Sequence, residues 1–232
     1  MCRFLLVHSQ EPLDTSSLLI SFAQMCEASS ARHGEWQGDG WGMAWVTESG
    51  QWLCHKSLNP VWEDVGAFNS GDAPPTRVFA VHARNASFAK DRRDLAFNQP
   101  FVDAGRAAPA QCAFVFNGLL RGVALPRRVP GAIGAQRIWN LLREEMAARP
   151  AMQAMAIVTD LLAAHTLVIV ACNIGLIDAQ RIYASCRYSR PGDYYQLRWH
   201  ASSAPSGLRM VCSEALPGYD FSLVPSGEVF VL

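Results

Sequence analysis

MCRFLLV, residues 1–7, places a cysteine second in the chain and follows it with the apolar run Phe4 to Val7, so that Cys2 to Val7 reads as a strand. A small second residue allows the initiator methionine to be removed, which would leave a thiol and a free α-amine on the same residue. An α-amino group titrates at about 7.7–8.0, close enough to neutrality to take the thiol proton and later return it to a leaving amine. The thiolate is the reactive form. Taken without its neighbours, Cys2 reads more readily as a buried cysteine of the first strand with Met1 retained, because free cysteine is commonly buried. The remainder of the chain decides between the two.

Beyond this start the first half alternates short β-like runs, Trp41 to Val46, Gln51 to Lys56, Arg77 to His82 and Cys112 to Phe116, with clusters of Gly, Pro, Asn and Asp. Between the first two strands, Thr15 to Glu27 carries Leu18, Leu19, Phe22 and Met25 at helical spacing, with Asp14 or Thr15 as N-cap. Two further helices are predicted near Ala135 to Ala147 and Met152 to Ala164, separated by Pro150. Strand patterns return at Leu167 to Cys172, Arg181 to Cys186, Tyr194 to His200, Leu208 to Cys212 and Glu228 to Leu232. Strands, then helices, then strands imply sheets layered with helices. Asn69 to Pro75, Asp103 to Pro109 and Gly122 to Gly134 read as loops.

The chain has 232 residues, half of them hydrophobic, with 20 Lys+Arg against 20 Asp+Glu. Only 17 % are charged, the reverse of a disordered composition, and the length suits one α/β domain or two small ones, a single domain over 1–232 being expected. The neutral balance gives no electrostatic reason to expect nucleic acid or an anionic membrane as partner. Seven single cysteines without a CxxC pair argue against a disulfide framework or a zinc knot, and a reducing, cytoplasmic setting is expected. The apolar run Phe4 to Val7 is too short for a signal peptide. The stretch Leu161 to Ile177 is too short to span a bilayer and is interrupted by His165, Asn173 and Gly175.

Two motifs favour the chemical reading of Cys2. VHARNAS, Val81 to Ser87, ends a strand with an arginine, and FVFNGLL, Phe114 to Leu120, ends another with Asn-Gly. Acyl transfer needs an oxyanion hole, which a side-chain amide and an unobstructed glycine N–H can supply, and Asn117 with Gly118 fits that need. Arg84 can grip a carboxylate through two parallel hydrogen bonds, and Ser87 can add a hydroxyl. Each element has a plainer reading, since Asn-Gly is also the commonest hairpin turn and a lone Arg is usually a solvated charge.

With these residues in hand, the sequence resembles the class II glutamine amidotransferases, in their free-standing members. MCRF at the start, GDGWG at Gly38 to Gly42, HAR at His82 to Arg84, NQPF at Asn98 to Phe101 and FNG at Phe116 to Gly118 carry the resemblance, and so do RIYASCRYS at Arg181 to Ser189 and the closing Val211 to Leu232. The resemblance implies an N-terminal nucleophile hydrolase fold, a four-layer αββα sandwich of two antiparallel sheets between helices. It implies Cys2 as nucleophile with its own α-amine as base, Asn117 and Gly118 as oxyanion hole, and Arg84 as carboxylate anchor. Gly40 and Trp41 would shape the loop near the nucleophile and, with Arg84 and Ser87, make up the substrate-binding set. No cofactor or metal is implied. The substrate would be glutamine or a γ-glutamyl amide, any ammonia leaving or passing to a separate accepting subunit, because all 232 residues are taken up by the amide-cleaving domain.

The departures are specific. The family carries an Asp before the helix that follows the oxyanion strand, where it holds the α-ammonium of glutamine. Here the stretch reads GAIGAQRIWNLL, with Gly134 and Gln136, or Ile133 and Ala135 in the neighbouring register, at the acidic positions. A charge-assisted bond is worth about 1.5–3 kcal/mol, so its loss implies roughly tenfold to a hundredfold weaker glutamine. Phe116 stands where the family often has His, and Asn85 and Phe88 replace Trp and His beside the arginine.

Other signals are weak. Ser87 to Lys90 matches S-x-x-K of serine acyl-enzymes but lacks the companion motifs, the six histidines show no metal-ligand spacing, and GDGWG lacks the strand–helix setting of a nucleotide loop. Lys90 to Asp94 reads as a solvated loop, and Met152 and Met155 read as core. A binding module on the same fold, keeping Arg84 for a carboxylate ligand without catalysis, is the alternative.

Overall fold

The FLLV run is apolar at every position because both faces of its strand are covered. In the computed structural model, which describes residues 1–29, 34–68, 75–86, 93–104, 111–189 and 193–232, Leu5 and Val7 pack under helices while Phe4 and Leu6 face a second sheet. The elements run β1 (Arg3–Leu13), α1 (Ser16–Glu27), β2 (Trp41–Val46), β3 (Trp52–Ser57), α2 (Val61–Phe68), β4 (Thr76–Ala83), β5 (Phe101–Asp103) and β6 (Cys112–Val123). Then come α3 (Gly134–Met146), α4 (Ala151–Ala164), β7 (Thr166–Asp178), β8 (Ile182–Tyr188), β9 (Arg198–Ala201), β10 (Arg209–Cys212), β11 (Ser222–Leu223) and β12 (Val229–Val231).

One sheet has the order β11-β9-β10-β1-β4-β2-β3 and the other β12-β8-β7-β6-β5, with every adjacent pair antiparallel. Three apolar layers result. Leu18, Leu19, Phe22 and Met25 of α1 cover one face of the first sheet, as their spacing predicts. Ile138, Leu141 and Leu142 of α3 join Met155, Val158 and Leu162 of α4 on the outer face of the second. Between the sheets lie Phe4, Leu6, Ala80, Val115, Ile177 and Ala184. This is the αββα sandwich expected above.

Local details differ from the sequence reading. The strand at Cys112 continues to Val123, so Asn117-Gly118 lies mid-strand and turns no corner, and neither has a positive φ. Its pairing with β7, Asn117 opposite Asn173, supplies the tertiary constraint that overrides the local turn preference. The segment read as a strand from Tyr194 is a helical turn at Asp193–Tyr195 and becomes strand only at Arg198. Helix α2 and the three-residue β5 are additions. Thr15 is the N-cap of α1 but makes no side-chain cap, while Asp14 Oδ1 accepts the Ser16 N–H at 2.9 Å. Most of the loops at Asn69 to Pro75 and Asp103 to Pro109 lie outside the described residues, as do Ser87 and the Ser87 to Lys90 run.

Candidate active site

Alternation along the strands brings the chemistry together. Cys2 precedes β1 with the parity of Phe4 and Leu6, and Asn117 has the parity of Ala113 and Val115, so both belong to the side where the sheets face each other. Cys2 opens onto a cavity of about 720 Å³ whose walls include Arg84, Asn85, Gln99, Phe116 and Gly118. Among the described residues no other cysteine reaches it: Cys26, Cys112, Cys172, Cys186 and Cys212 are buried and Cys54 is at the surface.

The Asn85 N–H donates to Cys2 Sγ at 3.4 Å, while the thiol faces the Asn85 carbonyl at 3.9 Å. Burial pushes the Cys2 thiol up, and the Asn85 hydrogen bond, the N-terminal charge, Arg84 and Arg3 pull it back only in part. A thiol so placed needs a base to become a nucleophile. The N-terminal ammonium is beside it in sequence, held by the Glu35 carboxylate and by the Tyr194 hydroxyl at 2.8 Å.

Arg84 follows β4 directly and is buried, its guanidinium lying over the Phe97 ring at 5.7 Å. Its backbone is zipped to the glycine loop: Arg84 N–H donates to Gly40 O at 2.8 Å, Asp39 N–H to Arg84 O at 3.0 Å, and Ala86 N–H to Asp39 Oδ2 at 2.7 Å. Gly40 has φ +102°, and a Cβ there would meet Asn98 Nδ2 at 2.5 Å and Ser57 O at 2.8 Å, so the tight turn requires glycine. Trp41 corrects the expectation of a substrate contact. Its ring is fully buried under the helices, where Nε1 donates to Asp64 Oδ2 at 2.9 Å, and it anchors the loop from behind without lining the cavity.

Asn117 is buried and its Oδ1 bonds no described residue. Gly118 is in the cavity wall, where a Cβ would fall 2.4 Å from Ala171 O and 2.6 Å from the Phe116 ring. Behind them Gln99 takes over from β5: its Oε1 accepts the Phe116 N–H at 2.5 Å and its Nε2 donates to Phe116 O at 3.2 Å. The side chain thus extends the Phe101–Phe114 pairing by one more position toward the oxyanion candidates. NQPF signalled this by resemblance, but a backbone-mimicking role for Gln99 has no local periodicity to reveal it.

His82, fully buried in β4, is not a proton carrier. Burial pushes it down to about 3, with Arg84 and Lys56 adding repulsion, and the Phe116 carbonyl, already taken by Gln99, offers only partial relief. The unfolded chain binds this proton below the usual 6.5 and the folded one does not, so stability contributed above that pH is lost as pH falls toward 3. At pH 5 the loss is about 2 kcal/mol. Urea midpoints of wild type and His82→Phe at pH 7 and pH 5 measure it: the wild type should fall more steeply, and equal slopes would contradict a neutral buried His82.

Among the described residues no group of three or more His, Cys, Asp or Glu is placed to hold a metal, and no helix is long and apolar enough to cross a membrane.

Comparison with known proteins agrees with this architecture. No protein-family model and no curated protein matches the chain by sequence. Among solved structures, it superposes on glutamine phosphoribosylpyrophosphate amidotransferase from B. subtilis with TM-score 0.68 at 11 % identity, covering 99 % of this chain and 47 % of that one. A glutamine aminotransferase class-II domain protein from Silicibacter pomeroyi matches with TM-score 0.62 at 16 % identity over 99 % and 94 % of the two chains. A predicted glutamine amidotransferase from Pseudomonas aeruginosa matches with TM-score 0.56 at 14 % identity over 99 % and 96 %. The chain therefore has the fold of class II glutamine amidotransferase domains, and spans about half the length of the B. subtilis enzyme.

Proposed function

We propose that this protein is a cysteine-dependent amidohydrolase that cleaves glutamine or a γ-glutamyl amide through a thioester on Cys2, after loss of Met1. The observation that carries the reading is the convergence of Cys2, Arg84 and Gly118 on one cavity, with the chain's N-terminus beside the thiol. The α-amine of Cys2 takes the thiol proton, and the thiolate attacks the amide carbon. Asn117 Nδ2 and the Gly118 N–H receive the oxyanion, and Arg84 holds a carboxylate of the substrate. The C–N bond breaks as the α-amine returns the proton to the departing amine. Water, deprotonated by the same amine, then splits the thioester to a carboxylate and restores the thiol. Ammonia, where it is the product, leaves or passes to a separate accepting subunit.

Intact mass and the Cys2→Ala variant test this directly. The active protein should lack Met1, and the variant should lose at least a thousandfold in amide hydrolysis while keeping its circular dichroism spectrum. Retained Met1 in fully active protein, or an undiminished variant, overturns the reading. The upward push on the Cys2 thiol is the observation favouring the second reading, a carboxylate-binding module without catalysis. An electrophilic glutamine analogue separates the two, since it labels Cys2 only in an enzyme.

A further inference from the structure

Among the described residues, the fixed charges that line the cavity are all of one sign. Arg84, Arg127, Arg128 and Arg137 line it, and no aspartate or glutamate does among the described residues. Arg127 is neutralised by an ion pair with Glu144. Arg137 donates its Nε–H to the Gly131 carbonyl at 3.0 Å, a neutral acceptor. Neither Arg137 nor Arg128 has a carboxylate within ion-pair distance among the described residues. Guanidinium groups do not deprotonate in proteins, so this charge persists at every working pH. The first turn of α3 adds to it, because Gly134 and Ala135 are in the same wall and a helix start presents free N–H groups and the positive end of its dipole.

An ammonium brought against this wall finds no carboxylate among the described lining residues and meets repulsion, whereas a carboxylate gains charge-assisted hydrogen bonds. We propose that the cavity selects amides that carry carboxylate and no free ammonium: ω-monoamides of dicarboxylic acids and their N-acylated relatives, in preference to zwitterionic glutamine. The reaction rests on the Cys2 thioester reading above, while the charge preference stands on the cavity alone. The acyl group goes to Cys2 with release of ammonia, and water then releases the dicarboxylate.

Gly134 provides the reversal test. A Cβ built there meets nothing within 4 Å and its φ is unremarkable, so aspartate fits. At the first position of α3 a carboxylate is also favoured by the helix dipole.

The primary experiment is calorimetric binding of glutarate and glutamate to the Cys2→Ala protein, which needs no catalysis. Glutarate should bind at least tenfold tighter. The Arg128→Gln/Arg137→Gln double variant should narrow that ratio, and Gly134→Asp should invert it with an unchanged melting temperature. Glutamate binding as tightly as glutarate, or no detectable glutarate binding, overturns the proposal. A second arm follows ammonia release from glutaramate and glutamine by the wild type, where glutaramate should have at least tenfold higher kcat/KM. If glutarate is preferred in binding but no amide acylates Cys2, the catalytic reading fails and the charge selection stands. If Cys2 is acylated and glutamine is the better substrate, the charge selection fails alone.

Discussion

A chain that keeps a residue ahead of Cys2 is expected to lose amide hydrolysis by about a hundredfold to ten-thousandfold, the usual worth of a positioned general base. With Met1 in place the nitrogen of Cys2 is a peptide N–H and has no basic lone pair. The N-terminal ammonium is then one residue away, bound to Glu35 and Tyr194. Burial pushes the thiol up and disfavours the reactive thiolate, so the reaction depends on a base at hand. A lysine inserted between Met1 and Cys2 gives a start that is not trimmed, and a protease site in place of the insertion regenerates Cys2 as the first residue. The blocked chain should stay folded, and its thiol should still react slowly with a small alkylating agent at raised pH. The trimmed chain should recover full turnover. Full activity in the blocked chain would move the base from the α-amine to another group and remove the reason for a cysteine at position 2.

How much of this was legible in the sequence depends on the range of the cause. The faces of α1, α3 and α4 follow from 3.6-residue spacing, and the start of β1 follows from the apolar run Phe4 to Val7. Both are local patterns, and the structure repeats them. Asn117-Gly118 shows the limit. The dipeptide alone prefers a hairpin turn, yet β7 pairs it from Gly118 opposite Cys172 to Phe116 opposite Ile174, and that pairing holds it extended. Helix α2, only eight residues long, has too few turns for its periodicity to register. The charge of the cavity was hidden for another reason: Arg127 and Arg128 come from what reads as a plain surface loop, and only the fold brings that loop to the Cys2 opening. The partners of the N-terminus, Glu35 and Tyr194, are 159 residues apart, and no local signal links them.

The largest stability effect is expected at Arg3, which is fully buried one residue after Cys2. Its Nε donates to Glu214 Oε2 at 3.1 Å and its Nη2 to Ser29 Oγ at 2.9 Å, while Ser29 Oγ donates to the same Glu214 oxygen at 2.8 Å. Tyr194 covers the guanidinium at 4.9 Å, and Glu35 Oε2 lies 3.8 Å from Nη2. Removing one member leaves its partner charged and shut away from water, so Arg3→Met and Glu214→Leu should each cost about 3–5 kcal/mol. Replacing both together should recover most of that loss, because the desolvation cost of both ions disappears with their attraction. Urea denaturation at neutral pH measures all three variants, and single variants that each lose under about 1 kcal/mol would mean that water reaches the pair. Activity separates the two roles of Arg3. Its Nη1 also donates to the Cys2 carbonyl at 3.3 Å, fixing the backbone from which the thiol projects. The double variant should therefore regain stability without regaining turnover, since the hydrogen bond that aims Cys2 is absent from it.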